Sequence, residues 1–354
     1  MQHAFRGSFE REGVKQMSRQ QGLQQCSSKH AASQNASAQP MSLDRPLHDL
    51  HCHLDALTCG EVVAAHARSR KSLILACTVS PEGFAAARLR FEGFENVRVA
   101  LGLHPWQVAC DTDQACTQLE SAELHMPQAR FVGEVGLDFS ARWNGSKDAQ
   151  LQTFRRICAG ACAPVCGRPR VLSIHAVRAA TCALDILEET GAAHACTCIF
   201  HWFSGTNEDL ARARRLGCLF SVNERMARSR RGREYIRQLS ATQLLLETDA
   251  PTDQDKPRRA EDSSGEDEKR AQPKPAVDCE KGSCNATERP AARIADSKQS
   301  EAEGPNEGCA HPNSTHDELD RYTQALEATA YAVAQIKGAG ALATIAQTSK
   351  AVLS

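Results

Sequence analysis

Between Leu47 and Pro251 the chain alternates short apolar runs with longer amphipathic stretches. The runs are LHDLHCHLD (47–55), SLILACTV (72–79), VRVALGLHP (97–105), RFVGEVGLDF (130–139), RVLSIHAV (170–177), CTCIFHWFSG (196–205), GCLFSVNE (217–224) and QLLLETDAP (243–251). Runs this short, rich in Leu and β-branched residues and bounded by Gly or Pro, predict strands of a parallel sheet buried on both faces. Between them lie stretches of helical length, among them 148–163, 179–190 and 206–216. Strand–helix alternation repeated eight times predicts an α/β fold, a (β/α)8 TIM barrel, rather than an open sheet. The polar residues argue the same way. They gather at the ends of the runs: His51, His53, His104, Glu134, Asp138, His175, His201 and Asp249. A barrel brings all those ends to one face, and an open sheet does not.

The flanks carry no such pattern. Residues 1–40 are rich in Gln, Ser and Ala and have no period that could bury a face, so a disordered extension is expected. Met41 follows directly and is an alternative start, a choice that mass spectrometry of upstream peptides decides. Residues 256–315 are charged and mixed in sign, as in RRAEDSSGEDEKR, and read as a flexible insert. Helical spacing returns over 319–337 and 341–353, segments expected to cover the barrel after the eighth strand. One barrel is therefore expected from 41–255 and 316–354, interrupted by the insert.

Composition narrows the picture. The chain has 354 residues and 41% hydrophobic content, enough for one large domain; a barrel commonly takes about 250 residues. The net charge of -1 excludes a global basic field that would announce nucleic acid, so any phosphate binding must be local. Arg225, Arg228, Arg230, Arg231, Arg233 and Arg237 cluster after the seventh run, either as a small phosphate patch or as a solvated helix face. The sixteen cysteines scatter through apolar runs and form no disulfide framework. Buried free thiols of that kind imply a reducing, cytoplasmic setting. The start MQHAFRGSFEREGVKQ lacks the apolar run of about 7–15 residues that a signal peptide needs. No stretch approaches the roughly 18 apolar residues of a membrane span. A soluble cytoplasmic monomer is expected.

The chemistry lies at the run ends. Side chains in a strand alternate faces, so His51 and His53 point the same way, together with Asp49 and Asp55. Two imidazoles about 7 Å apart along a strand can grip one ion from one side. Alone, such a pair could equally be two hydrogen-bonded histidines. Further imidazoles and carboxylates at other ends shift the balance, because a buried ring of them needs a divalent metal, protons or mutual pairing. Glu134, flanked by glycines, has two oxygens and could bridge two ions; it could also pair with an Arg. His175 and His201 are ambiguous singly and metal-directed in this company. Asp249 can bind metal and accept a proton from water. Glu247 could orient a ligand or pair with an Arg.

In order and spacing, HCHLD, GLHPW, GEVGLD, the His of SIHAV, HWFSG and LLETDAP resemble the motifs of the TatD family of metal-dependent deoxyribonucleases, within the amidohydrolase-like metal barrels. The resemblance covers about 47–255 and, more loosely, 319–353. It implies two divalent ions, with Mg, Mn or Zn all open. One ion would be held by His51, His53, Glu134 and Asp249, and the other by Glu134, His175 and His201. It implies hydrolysis of DNA phosphodiester bonds through a metal-activated water, with single strands or strand ends as substrate. Asp249 and Glu134 would be catalytic. His104 would lie near the substrate phosphate, and Ser204 and Gly205 would offer backbone donors. Ala176-Val177-Arg178 stands where Ser-Arg is frequent, and Trp106 where His is frequent. Those departures bear on substrate choice. Hydrolysis of a small amide, ester or lactone is the alternative on the same barrel, and a non-catalytic metal-binding protein is a third.

Overall fold

The computed structural model describes residues 45–108, 112–251 and 312–354. The N-terminal extension and nearly all of the expected insert lie outside the described residues. The helix expected from 319 starts at Pro312, inside the stretch assigned to the insert, and runs to Lys337.

Eight strands form one parallel sheet in sequence order: β1 (Asp49–Cys52), β2 (Ile74–Cys77), β3 (Val97–Leu103), β4 (Phe131–Asp138), β5 (Val171–Val177), β6 (Thr197–His201), β7 (Leu219–Val222) and β8 (Leu244–Leu246). Every expected strand is present, and helices occupy the intervals. The sheet is closed at its C-terminal end by backbone bonds beyond the strands. Asp249 N donates to His51 O at 2.9 Å, and His53 N donates to Ala250 O at 2.7 Å. The seam of the barrel therefore runs through the residues singled out from the sequence.

The alternation hidden inside the apolar runs decides which residue faces which core. Leu50, Leu75, Ala100, Phe131, Val171, Ile199 and Leu245 form the cluster inside the barrel. Their neighbours Val132, Leu172, Phe200 and Leu246 face outward onto the helices. Val352 and Leu353 join the interior cluster, so the C-terminal helix Ala341–Leu353 plugs the bottom of the barrel. The outer helices follow their own period. In Lys147–Ala161 the buried residues are Gln150, Thr153, Phe154, Ile157, Cys158 and Ala161, spaced by three and four. Asn207–Arg215 begins at a reciprocal cap, with Thr206 accepting from Asp209 N and Asp209 accepting from Thr206 N.

Two glycines let the strand ends crowd together beneath the site. A Cβ on Gly102 would lie 1.7 Å from Thr78 O, and one on Gly136 would lie 2.0 Å from His175 O. Gly136 also has φ of 143°, which side-chain-bearing residues rarely adopt. The cysteines among the described residues are free thiols, and Cys52, Cys77, Cys158 and Cys198 are buried as small hydrophobes. Among the described residues no helix is long and apolar enough to cross a membrane.

His48 ties β1 to the start of β2, because Leu73 N donates to its Nδ1 at 2.9 Å. Burial, helped by the charge of Lys350, pushes the imidazole down to about 4. The unfolded imidazole titrates near 6.5, so the unfolded chain binds the extra proton first. The stabilising contribution is therefore complete above about 6.5 and is lost as pH falls toward 4. His48→Asn keeps an acceptor for Leu73 N and cannot titrate. Urea unfolding between pH 7 and 4 should show a shallower acid loss for the variant, and identical acid limbs would refute the assignment.

Candidate metal centre

The centre is built around one carboxylate. Glu134 sits within β4, buried, with Gly133 behind it. A Cβ on Gly133 would come within 2.7 Å of Ser173 Cβ, so a small residue there lets β4 and β5 close up under the site. Glu134 Oε1 lies 2.6 Å from His175 Nδ1, 2.8 Å from His201 Nε2 and 3.5 Å from His104 Nε2. Its Oε2 lies 3.3 Å from His53 Nε2 and 3.5 Å from His51 Nε2. Asp249 Oδ1 is 3.8 Å from Nε2 of both His51 and His53. All six expected metal positions thus converge: four histidines face the two oxygens of Glu134, and Asp249 joins through His51 and His53. The His51 and His53 rings stand 5.3 Å apart, closer than strand spacing alone gives, because His53 lies just past the end of β1.

The donor set fits divalent metal. Around an ion with bonds of about 2.1 Å, tetrahedrally placed ligand atoms lie about 3.4 Å apart, and the spacings on the Oε2 side match that figure. His53 Nδ1 faces Cys77 O at 3.0 Å. A carbonyl only accepts, so the proton is on Nδ1 and the Nε2 lone pair points at Glu134. His51 Nδ1 is bonded to Ser173 Oγ at 2.7 Å, while its buried Nε2 has no hydrogen-bond partner. An orphaned imidazole nitrogen aimed at two carboxylates is what a ligand looks like before its ion is added.

His104 differs from its neighbours. Trp106 N donates to its Nδ1 at 3.1 Å, so the neutral ring carries its proton on Nε2, toward Glu134. Burial outweighs the pull of Glu134 and holds this imidazole down to about 4. His104 is therefore a neutral donor at the edge of the centre and not a lone-pair ligand. Glu134 is opposite in character. Burial alone would raise its carboxyl, but the imidazoles of His104, His201, His175 and His51 packed around it hold it well below the usual range. Asp249 is pushed up by burial, against the lowering charges of His201 and His51.

A second layer orients the first. Asp138 Oδ2 accepts from Trp106 Nε1 at 2.7 Å and lies 3.5 Å from His175 Nε2. Glu247 accepts from Ser221 Oγ and Asn223 Nδ2, and its Oε1 is 3.7 Å from His201 Nδ1. Ser173 carries no motif of its own, whereas Trp106 and Asp138 lie inside GLHPW and GEVGLD without their pairing being legible there. The available signal was parity: Ser173 is two residues from His175, and Asp138 four from Glu134, hence on the same strand faces. Asp49 and Asp55 do not join the centre. Asp49 is buried behind it, accepting from Thr248 Oγ1 at 2.6 Å and Thr248 N at 3.1 Å, and Asp55 sits in the turn Leu54–Ala56. Trp202 and Asp249 have φ of 41° and 57°, strained values for residues with side chains, directly beside His201 and at the barrel seam.

The centre floors a cavity of about 630 Å³ that opens at the C-terminal mouth, with Trp106, Trp202, Ser204 and Arg225 on its walls. Gly205 is not on that wall. Its carbonyl is taken by Tyr235 Oη and Arg231, and a Cβ there would strike Phe203 and Ala180. Of the arginine cluster, Arg228 pairs with Glu224 and Arg237 with Glu234. Arg225 lies over the Trp202 ring at 5.8 Å.

A TIM barrel whose strand ends gather these imidazoles and carboxylates around a mouth cavity is a metal-dependent hydrolase in class. The family described as "TatD related DNase" matches residues 48–277, more than half of the chain. The chain belongs to that family. It is 28% identical over 223 residues to the human protein "Deoxyribonuclease TATDN3", covering 57% of this chain and 77% of that one. It is 33% identical over 218 residues to "Uncharacterized metal-dependent hydrolase TatD" of Mycobacterium tuberculosis, covering 57% and 79%. The solved structure of the TatD homolog YJJV of Escherichia coli superposes with a TM-score of 0.54 at 18% identity, over 88% of this chain and 98% of that one. That likeness shows the fold.

With metal removed, Glu134 and then Glu247 hold the His201 imidazole well above its ordinary range, against the burial that lowers it. In chelator-treated protein, Glu134→Gln should lower the pKa of His201 as followed by NMR of the imidazole. An unchanged titration would show that the carboxylate is not the source.

Proposed function

We propose that the protein hydrolyses phosphodiester bonds of DNA, with two divalent ions held by the cluster around Glu134. The observation that carries this reading is the division of Glu134: one oxygen faces His51 and His53, the other His175 and His201. One set would be His51 Nε2, His53 Nε2, Glu134 Oε2 and Asp249 Oδ1. The other would be Glu134 Oε1, His175 Nδ1 and His201 Nε2. The imidazoles of this set suit Zn, whereas the carboxylates and phosphoryl chemistry suit Mg or Mn. Bound there, such ions supply a nucleophilic water at neutral pH and neutralise charge on the phosphoryl oxygens.

The residues of the chain do the rest. Asp249 lies at the rim with its side chain partly open, and it takes the proton released from the attacking water. Burial raises that carboxyl, which makes its anion a stronger base. His104 donates a hydrogen bond from its Nε2–H to a phosphoryl oxygen and keeps the proton, and its depressed pKa holds the ring neutral. Ser173, Asp138 and Glu247 hold His51, His175 and His201 in the rotamers that this division requires. Ser204 lines the substrate cavity, and Gly205 supports its loop from behind. Every residue in this scheme comes from one chain, so a monomer suffices. The names of the relatives support DNA as substrate, and no feature of the cavity favours a small amide, ester or lactone.

Chelation should abolish hydrolysis of DNA, and Asp249→Asn should lower kcat by about 100-fold or more. Ser173→Ala, which leaves His51 Nδ1 unpartnered, should weaken metal affinity by about 10- to 100-fold without changing the circular dichroism spectrum. Competition against a chromophoric chelator measures the affinity. Turnover that survives both chelator and Asp249→Asn would sink the assignment.

A further inference from the structure

The chain has three tryptophans, Trp106, Trp143 and Trp202. Trp106 and Trp202 line the cavity at the metal centre, and Trp143 stacks on Trp106. The Trp106 and Trp143 rings have centroids 5.6 Å apart and planes inclined by 17°. Trp106 is 47% exposed, which is unusual for the largest apolar side chain. The metal mechanism gives that exposure no use.

Both rings are held from below by one hub. Trp106 Nε1 donates to Asp138 Oδ2 at 2.7 Å. Gln150, fully buried, donates from Nε2 to Trp143 O at 3.3 Å and accepts from Asp138 N at 2.8 Å through Oε1. Ser146 Oγ adds a bond to Trp143 O at 2.9 Å. The loop bearing Trp143 is therefore fastened to the strand end bearing Asp138, and the stack is fixed in place before any ligand arrives. Its position is specific too. The Trp106 ring lies 4.6 Å from the His104 ring and 6.4 Å from that of His175. That distance is on the scale of one sugar between a phosphate and its base. Arg142 stands over the Trp143 ring at 4.8 Å and puts a cation beside the stack.

We infer that the Trp106–Trp143 stack is a nucleobase platform that holds an unpaired base next to the phosphate at the metal centre. The inference rests on the phosphodiesterase reading above and adds the residues that would hold a base of the strand. A base inside a duplex already has stacking partners and a pairing partner, so it reaches the platform only after unstacking. A base in a single strand or a frayed end has its face free, and every base has one. The platform thus selects strandedness without selecting sequence. Among the described residues, Val79 is another exposed large hydrophobic side chain that lines the same cavity as Trp106.

The test compares a short single-stranded oligothymidylate with a strand of equal length made of abasic residues, using the full-length protein. Wild type should show a KM about 10- to 100-fold lower for the strand with bases, the worth of one stacked base. Trp143→Ala should erase most of that ratio, and Trp143→Phe, which keeps a ring, should restore most of it. Quenching of tryptophan fluorescence by the same two strands in EDTA reads binding without turnover. Stronger quenching by the strand with bases supports the platform. An equal response to the two strands, a KM ratio that Trp143→Ala leaves intact, or no quenching by either strand overturns it. Failure of the nuclease reading looks different: wild type then hydrolyses neither strand with metal present, whatever the fluorescence shows.

Discussion

A single buried carboxylate, shared among imidazoles from separate strands, is the constraint on which the rest of this structure depends. Glu134 is surrounded by histidines from the ends of β1, β3, β5 and β6, each within 3.5 Å of one of its oxygens. Burying that much polar matter is unfavourable unless charges and lone pairs are satisfied together. The barrel meets the demand geometrically. Closure places strand ends that are distant in sequence on one rim, and each strand contributes one or two residues without any loop having to fold back.

Several features that look independent are parts of that one solution. The glycines at 102, 133 and 136 let β2, β3, β4 and β5 crowd together at the level of the cluster. The left-handed backbone at Trp202 and Asp249 turns the chain sharply where the side chain must point into the mouth. The seam between β8 and β1 is made by backbone bonds from Asp249 and to Ala250, so the hydrogen bonds that close the fold also fix one member of the site. Stability and function share these residues, and strain is tolerated there because the surrounding barrel over-determines it.

The outer layer gives the histidines distinct roles although they are chemically identical. His53 meets a carbonyl at Nδ1 and keeps its Nε2 lone pair, whereas His104 meets a backbone N–H at Nδ1 and must carry its proton on Nε2. One becomes a ligand and the other a donor. The same hub that steadies His175 through Asp138 also anchors the two tryptophans at the mouth, so the metal centre and the apolar wall beside it are mechanically one unit.

The sequence determined a great deal. Eight apolar runs with His, Asp or Glu at their ends were enough for the barrel, its order and the six converging residues, because period and residue type are local properties. The exact strand ends were not legible: β8 stops at Leu246 and β1 at Cys52, since the ends are set by which backbone groups find partners across the sheet. Asp49 and Asp55 share strand parity with His51 and His53 yet stand apart from the centre, one under Thr248 and the other in a turn. Gly205 carries a family motif position, but packing against Phe203 and Ala180 decides which way it faces. Only the tertiary structure could settle which nitrogen of each imidazole is free, which carboxylate sits at the middle and that Trp106 meets Trp143. Those outcomes depend on contacts between segments dozens of residues apart, and no local pattern encodes the partner that a side chain will meet.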